Sequence, residues 1–349
     1  MNDRQSKRDR ISRTPQVVAI TGAGAGVGRA TARRFAEEGA CIGLIGRDPD
    51  RLEQAVEEVR RLGGTAAVCP ADVADAALVE AAAAGVEAAF GRIDVWINNA
   101  MATIYSPFHE ISPEDYKRAT EVTYLGAVYG TMAALRRMRP RNEGLILQVG
   151  SALAYRAISL QAPYCGAKFA IRGFTDALRC ELRHDSSRVR VTMVHLPALN
   201  TPQFDWGKNR LPMRPQPVPP IFQPEMAARA ICWASRHYRR EVYVGLPTIK
   251  AIWANKFVPG LADRYLVRTG YAAQQSRQPA EATDPDNLWQ PVAGNFAARG
   301  RFSGRAEDGT LQLWASLYRG PLAAGLLAAG WWACRRWRDR RDKSALREL

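Results

Sequence analysis

The chain has 349 residues, a formal net charge of +15, 47% hydrophobic residues and 24% charged residues. This composition is typical of a globular protein and excludes collagen-like, disulfide-scaffold and fully disordered chains. Six cysteines lie far apart without a C-x-x-C pair. That spacing argues against a zinc site and a disulfide framework, so we expect no bound metal and a reducing, cytoplasmic location.

The positive charge is concentrated in residues 1–14, 201–250 and 335–349. The first of these ranges is predicted to be a flexible basic N-terminus. It does not read as a secretory signal, because no apolar core follows its charges. None of the three ranges contains a recognisable nucleic-acid-binding motif. The sequence therefore argues against nucleic acid as a partner and favours a basic fringe near an anionic surface or an anionic cofactor.

Short apolar runs alternate with helical segments over residues 15–247, the predicted catalytic domain. These runs are continuous instead of alternating, which is typical of strands buried on both faces of a parallel sheet. The predicted fold is α/β, a doubly wound, seven-stranded parallel Rossmann sheet with helices on both faces and a C-terminal extension. The seven predicted strands are residues 17–21, 41–46, 65–69, 93–98, 145–150, 189–195 and 241–244.

Two later regions depart from this alternation. Residues 197–224 contain eight prolines, which exclude a regular helix or central strand and predict a substrate lid between the sixth and seventh strands. Residues 248–310 are predicted as one helix, Thr248–Thr269, followed by an extended or disordered polar linker that is able to pack along the domain. Residues 311–349 form an apolar segment with a basic tail.

A glycine-rich segment directly follows the first predicted strand and opens the first predicted helix. It reads T-G-A-G-A-G-V-G from Thr21 to Gly28, and its candidate cofactor residues are Thr21, Gly22, Gly26, Val27 and Gly28. Glycines permit a tight turn and let the backbone approach a pyrophosphate, whose charge the helix N-terminus stabilises. Because no G-K-[ST] ending follows, the segment predicts a dinucleotide site and disfavours a P-loop.

A second motif combines Tyr164, Lys168 and Ser151, which lies 13 residues before the tyrosine. Positions i and i+4 share one helix face, and an ammonium near a phenol lowers the pKa of that phenol. A phenol so tuned can deliver a proton to a developing alkoxide while a serine hydroxyl binds the same oxygen. The motif predicts a proton-transfer site, although an accidental Tyr/Lys pair on an amphipathic helix would read the same way.

Together these motifs resemble the main branch of the short-chain dehydrogenase/reductase family, with T-G-x-x-x-G-x-G and Y-x-x-x-K in order. The resemblance covers about residues 15–245. Asp72 and Val73 follow the third strand, where the family's acid contacts adenine. Asn98 and Ala100 delimit the family's N-N-A at the end of the fourth strand, and Met101 replaces its usual glycine.

The resemblance implies a role for each matching residue. Tyr164 would be the general acid in reduction and the base in oxidation. Lys168 would also hold the nicotinamide ribose, and Ser151 would orient the substrate carbonyl. Pro197 and Thr201 delimit a segment that matches the family's P-G-x-x-x-T without its glycine, and the resemblance implies that they contact the nicotinamide amide.

One position of the fourth helix departs from the family pattern. Thr123 stands where the family has an asparagine that supports a water-linked proton relay to the lysine. A threonine hydroxyl can also hold a water, but the threonine side chain is shorter than that of asparagine and its hydrogen-bond geometry differs. The departure weakens the expected relay and leaves the Ser/Tyr/Lys chemistry unaffected.

The choice of cofactor depends on the end of the second strand. An acid there favours NAD, whereas an arginine accommodates the 2′-phosphate of NADP. The strand ends in Gly46-Arg47, and a guanidinium suits a bidentate phosphate contact. The sequence therefore predicts a preference for NADP(H) over NAD(H). A solvated surface arginine is the alternative, since Asp48 follows closely.

The C-terminal segment points to a membrane surface or to a second subunit. Pro321–Cys334 has 14 apolar and small residues, fewer than the roughly 20 that span a bilayer. Trp331, Trp332 and Trp337 beside several arginines are typical of an interfacial anchor. We therefore predict peripheral membrane contact through residues 311–349, with a tail helix packed on a partner subunit as the alternative. The family resemblance also implies a homodimer or homotetramer.

The sequence as a whole predicts an NAD(P)-dependent oxidoreductase that reduces a ketone or aldehyde, or oxidises the alcohol in reverse. Phe204, Trp206 and Phe222 predict an apolar pocket wall and hence an apolar small-molecule substrate. Two alternatives stay open. The first is an epimerase or dehydratase of the same family, and the second is a non-catalytic dinucleotide-binding sensor or scaffold protein at a membrane.

Overall fold

The computed structural model describes residues 15–294 and 296–320, together with 322, 329–332 and 334–336. It divides the chain into two compact units, residues 1–309 and 310–349. The predicted flexible N-terminus, residues 1–14, and most of the basic tail lie outside the described residues. The boundary between the units falls next to residue 311, where the sequence predicts the start of the C-terminal segment.

The first unit is built on a parallel sheet. All neighbouring strands are parallel and their order is β7-β6-β5-β4-β1-β2-β3. The order reverses between β1 and β4, where the carboxyl ends of the strands leave a crevice suited to a ligand. The predicted fold class is thereby confirmed. The strands are β1 Val17–Thr21, β2 Cys41–Gly46, β3 Thr65–Pro70, β4 Val95–Asn98, β5 Leu145–Ser151, β6 Arg190–Leu196 and β7 Glu241–Tyr243.

Helices connect these strands and cover the sheet. Side-chain caps fix three of their starts: Asp48 accepts the N–H of Arg51 at α2, Asp75 accepts those of Ala77 and Leu78 at α3, and Ser112 accepts the N–H of Asp115 at α4. A π-helical turn, Glu121–Leu125, joins α4 to α5. The helices are α1 Gly26–Ala36, α2 Pro49–Arg61, α3 Ala76–Phe90, α4 Pro113–Thr120, α5 Gly126–Met138, α6 Ala162–His184 and α7 Pro224–Arg236.

The region predicted as one helix, Thr248–Thr269, is instead two helices, α8 Leu246–Phe257 and α9 Pro259–Ala273. Pro259 has no backbone N–H, and its ring pushes the preceding residue out of the helical conformation. Val258 accordingly adopts φ −138° and ψ 54°. The chain therefore breaks between the two helices, which pack against each other, and α8 also packs beside the short helical turn Ala152–Ala154.

The polar stretch predicted as an extended or disordered linker is ordered and packed on the first unit. Gln275–Pro279 pairs with Met213–Pro215, and Ala306–Glu307 pairs with Ile221–Phe222. Leu288 is fully buried, so isolated apolar side chains anchor a segment that has no periodicity of its own. The remaining short elements are Ile104–Tyr105, Phe108–Glu110, Gln203–Trp206, Lys208–Asn209, Ser303–Arg305 and, in the second unit, α10 Leu311–Leu317.

Candidate active site

The glycine-rich turn between β1 and α1 has a backbone that only glycine adopts without strain. Gly22 and Gly26 have φ of +67° and +57°. A Cβ on Gly28 would lie 2.1 Å from the carbonyl oxygen of Gly22, so the turn and the first helical residues leave no space for a side chain. The turn thus exposes its backbone to the crevice at the switch point of the sheet.

A cleft extends from this turn along the carboxyl ends of β1 to β4. The predicted cofactor residues that line it are Gly22, Gly26, Val27, Arg47, Asp72, Val73, Ala100 and Thr201. Thr201 closes one side of the cleft, because its Cβ lies 3.4 Å from the position that a Cβ added to Gly26 would occupy. Asp72 accepts the N–H of Ala74 at 3.0 Å and pairs with Arg118. The structure therefore brings most of the predicted cofactor residues into one cleft.

Thr21 and Asn98, both predicted to bind the cofactor, lie behind the cleft wall. The Thr21 hydroxyl accepts the backbone N–H groups of Asn99 at 2.9 Å and Ala100 at 3.1 Å. The Asn98 side chain accepts from Trp96 Nε1 at 2.8 Å and donates to buried neighbours. Both residues hold the wall in place instead of facing a ligand, because their side chains are fully engaged by the protein.

The neighbouring Asn99 is a site residue that the sequence analysis did not single out. Its side-chain amide donates to the carbonyl oxygen of Thr21 at 2.9 Å and to that of Gly22 at 3.2 Å. The amide therefore clamps the glycine-rich turn to the end of β4. The sequence signal for Asn99 is the N-N-A motif, of which it is the second asparagine. Two predicted cofactor residues, Pro197 and Gly28, do not line the cleft. Pro197 lies next to Gly245 instead, since a Cβ added to that glycine would be 3.5 Å from the proline ring.

Ser151, Tyr164 and Lys168 come together at the end of β5 and the first turns of α6. The Ser151 side chain lies close to Tyr164 and acts on the pKa of its phenol as a hydrogen-bond partner. The Lys168 ammonium lies 5.5 Å from the centre of the Tyr164 ring and donates to the carbonyl oxygen of Val149 at 2.7 Å. The i, i+4 spacing thus places phenol and ammonium on one helix face, as the sequence predicts.

The electrostatics of this group differ from the prediction in one respect. Desolvation by the surrounding protein raises the pKa of Tyr164 above its ordinary value of 10.0, and the hydrogen bond with Ser151 does not offset it. Burial also lowers the pKa of Lys168 to about 8. The lowering of the Tyr164 pKa that the sequence predicts is therefore not found, because burial dominates; at neutral pH the phenol carries its proton and can act as an acid.

Thr123, at the position of the family's relay asparagine, is completely buried in the π-helical turn. Its hydroxyl donates to the carbonyl oxygen of Ala102 and accepts the N–H of the same residue, both at 2.9 Å. The side chain therefore fastens the helix to the backbone after β4. Because the single hydroxyl proton is already donated, Thr123 cannot donate to a water on the path to Lys168.

His195 lies directly behind Ser151 and is fully buried. Its Nδ1 is 3.2 Å from the carbonyl oxygen of Ser151, and its ring stacks on Tyr243 and meets Tyr155 edge-on. Burial lowers the pKa of His195 to about 4, although the nearby Glu241 carboxylate opposes this change. The imidazole is therefore neutral and supports the backbone of the serine without reaching the reaction centre.

This burial predicts a pH dependence of stability. The unfolded chain binds the His195 proton below about pH 6.5 and the folded chain only below about 4. The free energy of unfolding should therefore fall by up to about 3 kcal/mol as the pH decreases through that window. Urea unfolding at pH 7 and pH 5 should show a smaller difference for His195→Gln than for the parent chain. Equal differences would contradict this account.

The C-terminal stretch 287–302, here termed the cover segment, lies along the cleft. Asn287 and Pro291 line the cleft, and the carbonyl oxygen of Ala297 accepts the N–H of Gly26 at 3.2 Å. Arg47 donates to the carbonyl oxygens of Leu288 at 3.4 Å, Trp289 at 3.1 Å and Asn287. The cover segment thus closes the cleft by contacts with residues far away in the sequence. No periodic pattern within the segment predicts these contacts.

Trp206 belongs to this cleft and not to the predicted apolar pocket wall. The Arg51 guanidinium lies 4.9 Å from the centre of the Trp206 ring and 5.4 Å from that of Phe296, within the range of a cation–π contact. The same guanidinium pairs with Asp48 at 2.9 Å. The proline-rich region therefore contributes residues to this cleft.

Phe204, in contrast, packs in a separate apolar cluster beside the catalytic group. Its ring lies 5.8 Å from that of Tyr105 and 6.0 Å from that of Phe302. Leu160, Leu211 and Ile221 complete the cluster. Phe222 is buried next to it and pairs with Leu199.

Tyr105 stands out in this cluster because it lies near Tyr164 and its buried hydroxyl has no partner among the described residues. The sequence analysis missed it, since the two-residue strand that carries Tyr105 has no motif. A buried hydroxyl without a partner is available to a ligand's polar group.

The site can be compared with known proteins. The short chain dehydrogenase family profile matches residues 16–208. The oxidoreductase YxnA of Bacillus subtilis is 32% identical over 281 residues, 80% of this chain and 79% of that protein. The 3-dehydrosphinganine reductase of Danio rerio is 30% identical over 222 residues, 61% of this chain and 66% of that protein.

Among solved structures, an alcohol dehydrogenase from the archaeon Thermococcus sibiricus, complexed with 5-hydroxy-NADP, matches with a TM-score of 0.58 and 26% identity. The match covers 66% of this chain and 96% of that one. The parallel sheet, the glycine-rich turn and the Ser/Tyr/Lys group on this chain agree with those relationships. The chain belongs to the short-chain dehydrogenase family of oxidoreductases.

Proposed function

We propose that the protein is an NADPH-dependent reductase of an apolar ketone or aldehyde. The observation that carries the proposal is the grouping of Ser151, Tyr164 and Lys168 at the end of β5 and the start of α6, with the ammonium 5.5 Å from the centre of the phenol ring. Reduction needs a proton donor at the carbonyl oxygen, whereas oxidation needs a base. A phenol that carries its proton is the form that reduction uses.

The cleft fits a dinucleotide by its own geometry. Gly22 and Gly26 hold the positive φ that a tight phosphate-binding turn requires, and the Gly28 position lacks space for a Cβ. Val27, the second residue of α1, lines the cleft, where helix N–H groups favour an anion. A nicotinamide dinucleotide bound here would supply the hydride.

Ser151, Tyr164 and Lys168 would bind the substrate carbonyl and transfer the proton. The Ser151 and Tyr164 hydroxyls would both bind the carbonyl oxygen of the substrate. As the carbonyl carbon accepts the hydride, the Tyr164 O–H bond breaks and its proton passes to the oxygen, which leaves an alcohol and a phenolate. The Lys168 ammonium would stabilise that phenolate, and a proton from solvent would restore the phenol.

The apolar cluster beside Tyr164 supports an apolar substrate. Phe204, Leu211 and Phe302 pack in this buried cluster, and the Tyr105 hydroxyl within it has no partner in the described chain. Apolar surroundings next to the catalytic group favour an apolar substrate over a charged sugar. We therefore propose a lipid-like, polyketide-like, terpenoid or aromatic carbonyl compound as the substrate.

A homodimer or homotetramer is proposed as the working assembly.

The proposed NADP preference yields a prediction at Arg47. Arg47→Ala should weaken NADPH binding about 10- to 100-fold more than NADH binding, because a charge-assisted contact to the 2′-phosphate contributes about 1.5–3 kcal/mol. Fluorescence titration of both cofactors gives the two Kd values. Because Arg47 also holds the cover segment, we expect the variant to bind both cofactors more weakly. The ratio of the two Kd values therefore reports the contact with the 2′-phosphate. Arg60→Ala, on the exposed face of α2, is the control.

A deuteride-transfer assay tests the function as a whole. The parent chain and a Tyr164→Phe variant would each receive NADPD and a lipid-rich cell extract, with products identified by mass spectrometry. A product that carries one deuterium and depends on Tyr164 would establish the reductase and identify its substrate. A product isomerised or dehydrated without net deuterium would favour the epimerase or dehydratase alternative. Cofactor binding without any product would favour the non-catalytic sensor or scaffold.

A further inference from the structure

The α8–α9 hairpin, residues 246–273, exposes an unusual amount of apolar surface. Trp253, Phe257 and Tyr265 are 58%, 61% and 66% exposed, and Trp253 stacks on Phe257 with ring centres 5.1 Å apart. Contiguous apolar surface of this kind marks an interaction site on a folded chain. The other exposed large apolar side chains of the hairpin are Leu246, Val258, Leu261, Val267 and Tyr271.

Cations are interleaved with these apolar side chains. On α8, Lys250 lies three residues before Trp253 and seven before Phe257, so the three share one helix face. On α9, Arg264 and Arg268 lie three and seven residues after Leu261 and share another. All three cations are exposed. Each face thus combines apolar and basic side chains.

The hairpin's acidic group does not neutralise these faces. The described hairpin contains a single acid, Asp263, against the cations Lys250, Lys256, Arg264 and Arg268. The carboxylate of Asp263 is paired with Arg156, a residue outside the hairpin. The hairpin is therefore a net positive surface whose apolar side chains project among its charges.

We infer that this hairpin docks the protein on an anionic lipid bilayer. Aromatic side chains that lie at the water–lipid boundary, with lysines and arginines beside them, are typical of interfacial binding. A second copy of the chain fits the surface less well, because a symmetric pairing would place two net positive hairpins against each other. Among the described residues no helix is sufficiently long and apolar to cross a bilayer, and the docking proposed here needs none.

The place of the hairpin in the fold gives this docking a consequence for the substrate. Gln274, at the end of α9, donates to the carbonyl oxygen of Ser159 at 2.9 Å and accepts from Gln161 at 2.7 Å. α8 packs beside residues 152–154, which directly follow Ser151. The hairpin thus rests on the chain between Ser151 and Tyr164, so docking would bring the catalytic group close to membrane-dissolved apolar carbonyl compounds. This consequence rests on the proposed function, whereas the docking does not.

Vesicle co-sedimentation with the full chain tests the docking. We expect binding to vesicles of phosphatidylcholine with phosphatidylglycerol, weaker binding to phosphatidylcholine alone, and a decrease at high salt. The double variant Trp253→Ser, Phe257→Ser should reduce the partition coefficient by about tenfold or more. Trp331→Ser, Trp332→Ser is the matched control for the C-terminal segment and should reduce it by less.

Three outcomes would overturn the inference: no binding of the parent chain to anionic vesicles, full binding of the hairpin variant, or loss of binding confined to the Trp331/Trp332 variant. Size-exclusion chromatography adds a fourth, since a smaller assembly for the hairpin variant would assign the surface to a second copy. Thermal unfolding and NADPH binding verify that each variant is folded. Because vesicle binding involves no turnover, failure of the proposed reductase function would leave this result unaffected.

Discussion

Tyr164→Phe is expected to lower kcat by about three to four orders of magnitude while the Kd of NADPH changes by no more than a few-fold. The phenol is the acid that we assign to the carbonyl oxygen, and general acid catalysis contributes up to about 10⁴-fold. The ring itself remains, so packing at the start of α6 is preserved. Single-turnover kinetics with the substrate identified by deuteride transfer would measure the chemical step.

Tyr105→Phe is the matched control for the loss of a phenol. Its hydroxyl is also buried near the reaction centre but has no partner in the described chain, and it is not assigned a proton-transfer step. We expect its kcat to stay within about tenfold of the parent, with any effect appearing in KM. Tyr164→Phe that retains a tenth of the parent kcat, or that loses NADPH binding together with turnover, would contradict the assigned role.

The second large effect is expected at the glycine-rich turn. Gly28→Ala should abolish measurable binding of NADPH and lower the free energy of unfolding by about 1–3 kcal/mol. The added Cβ would lie 2.1 Å from the Gly22 carbonyl oxygen and 2.7 Å from the Asn99 amide. Because both neighbours are held by backbone geometry or by hydrogen bonds, the start of α1 must move away from the turn that binds the pyrophosphate.

Gly173→Ala provides the control for this substitution. Gly173 lies on the exposed face of α6, and a Cβ there meets no atom within 4 Å. Alanine in a helix is favoured over glycine by roughly 1 kcal/mol, so this variant should be as stable as the parent or more stable. Calorimetry and NADPH titration of both variants make the comparison. Unchanged cofactor affinity in Gly28→Ala would show that the turn does not hold the dinucleotide as proposed.

Local sequence determined much of this protein. Continuous apolar runs exclude exposed strands, so the seven strands and their parallel arrangement followed from burial on both faces. Gly22, Gly26 and Gly28 indicated the turn, because backbone geometry at those positions tolerates no side chain. The i, i+4 spacing of Tyr164 and Lys168 placed both on one helix face.

The tertiary structure decided what depends on contacts between distant residues. The pKa of Tyr164 rises with burial that no local pattern reveals, and Thr123 is satisfied by Ala102 from the neighbouring strand end. The cover segment reaches Arg47 and Gly26 from about 240 to 270 residues away. Its anchors are isolated apolar side chains and backbone carbonyls, which leave no periodic signal, so only packing in three dimensions defines its place on the cleft.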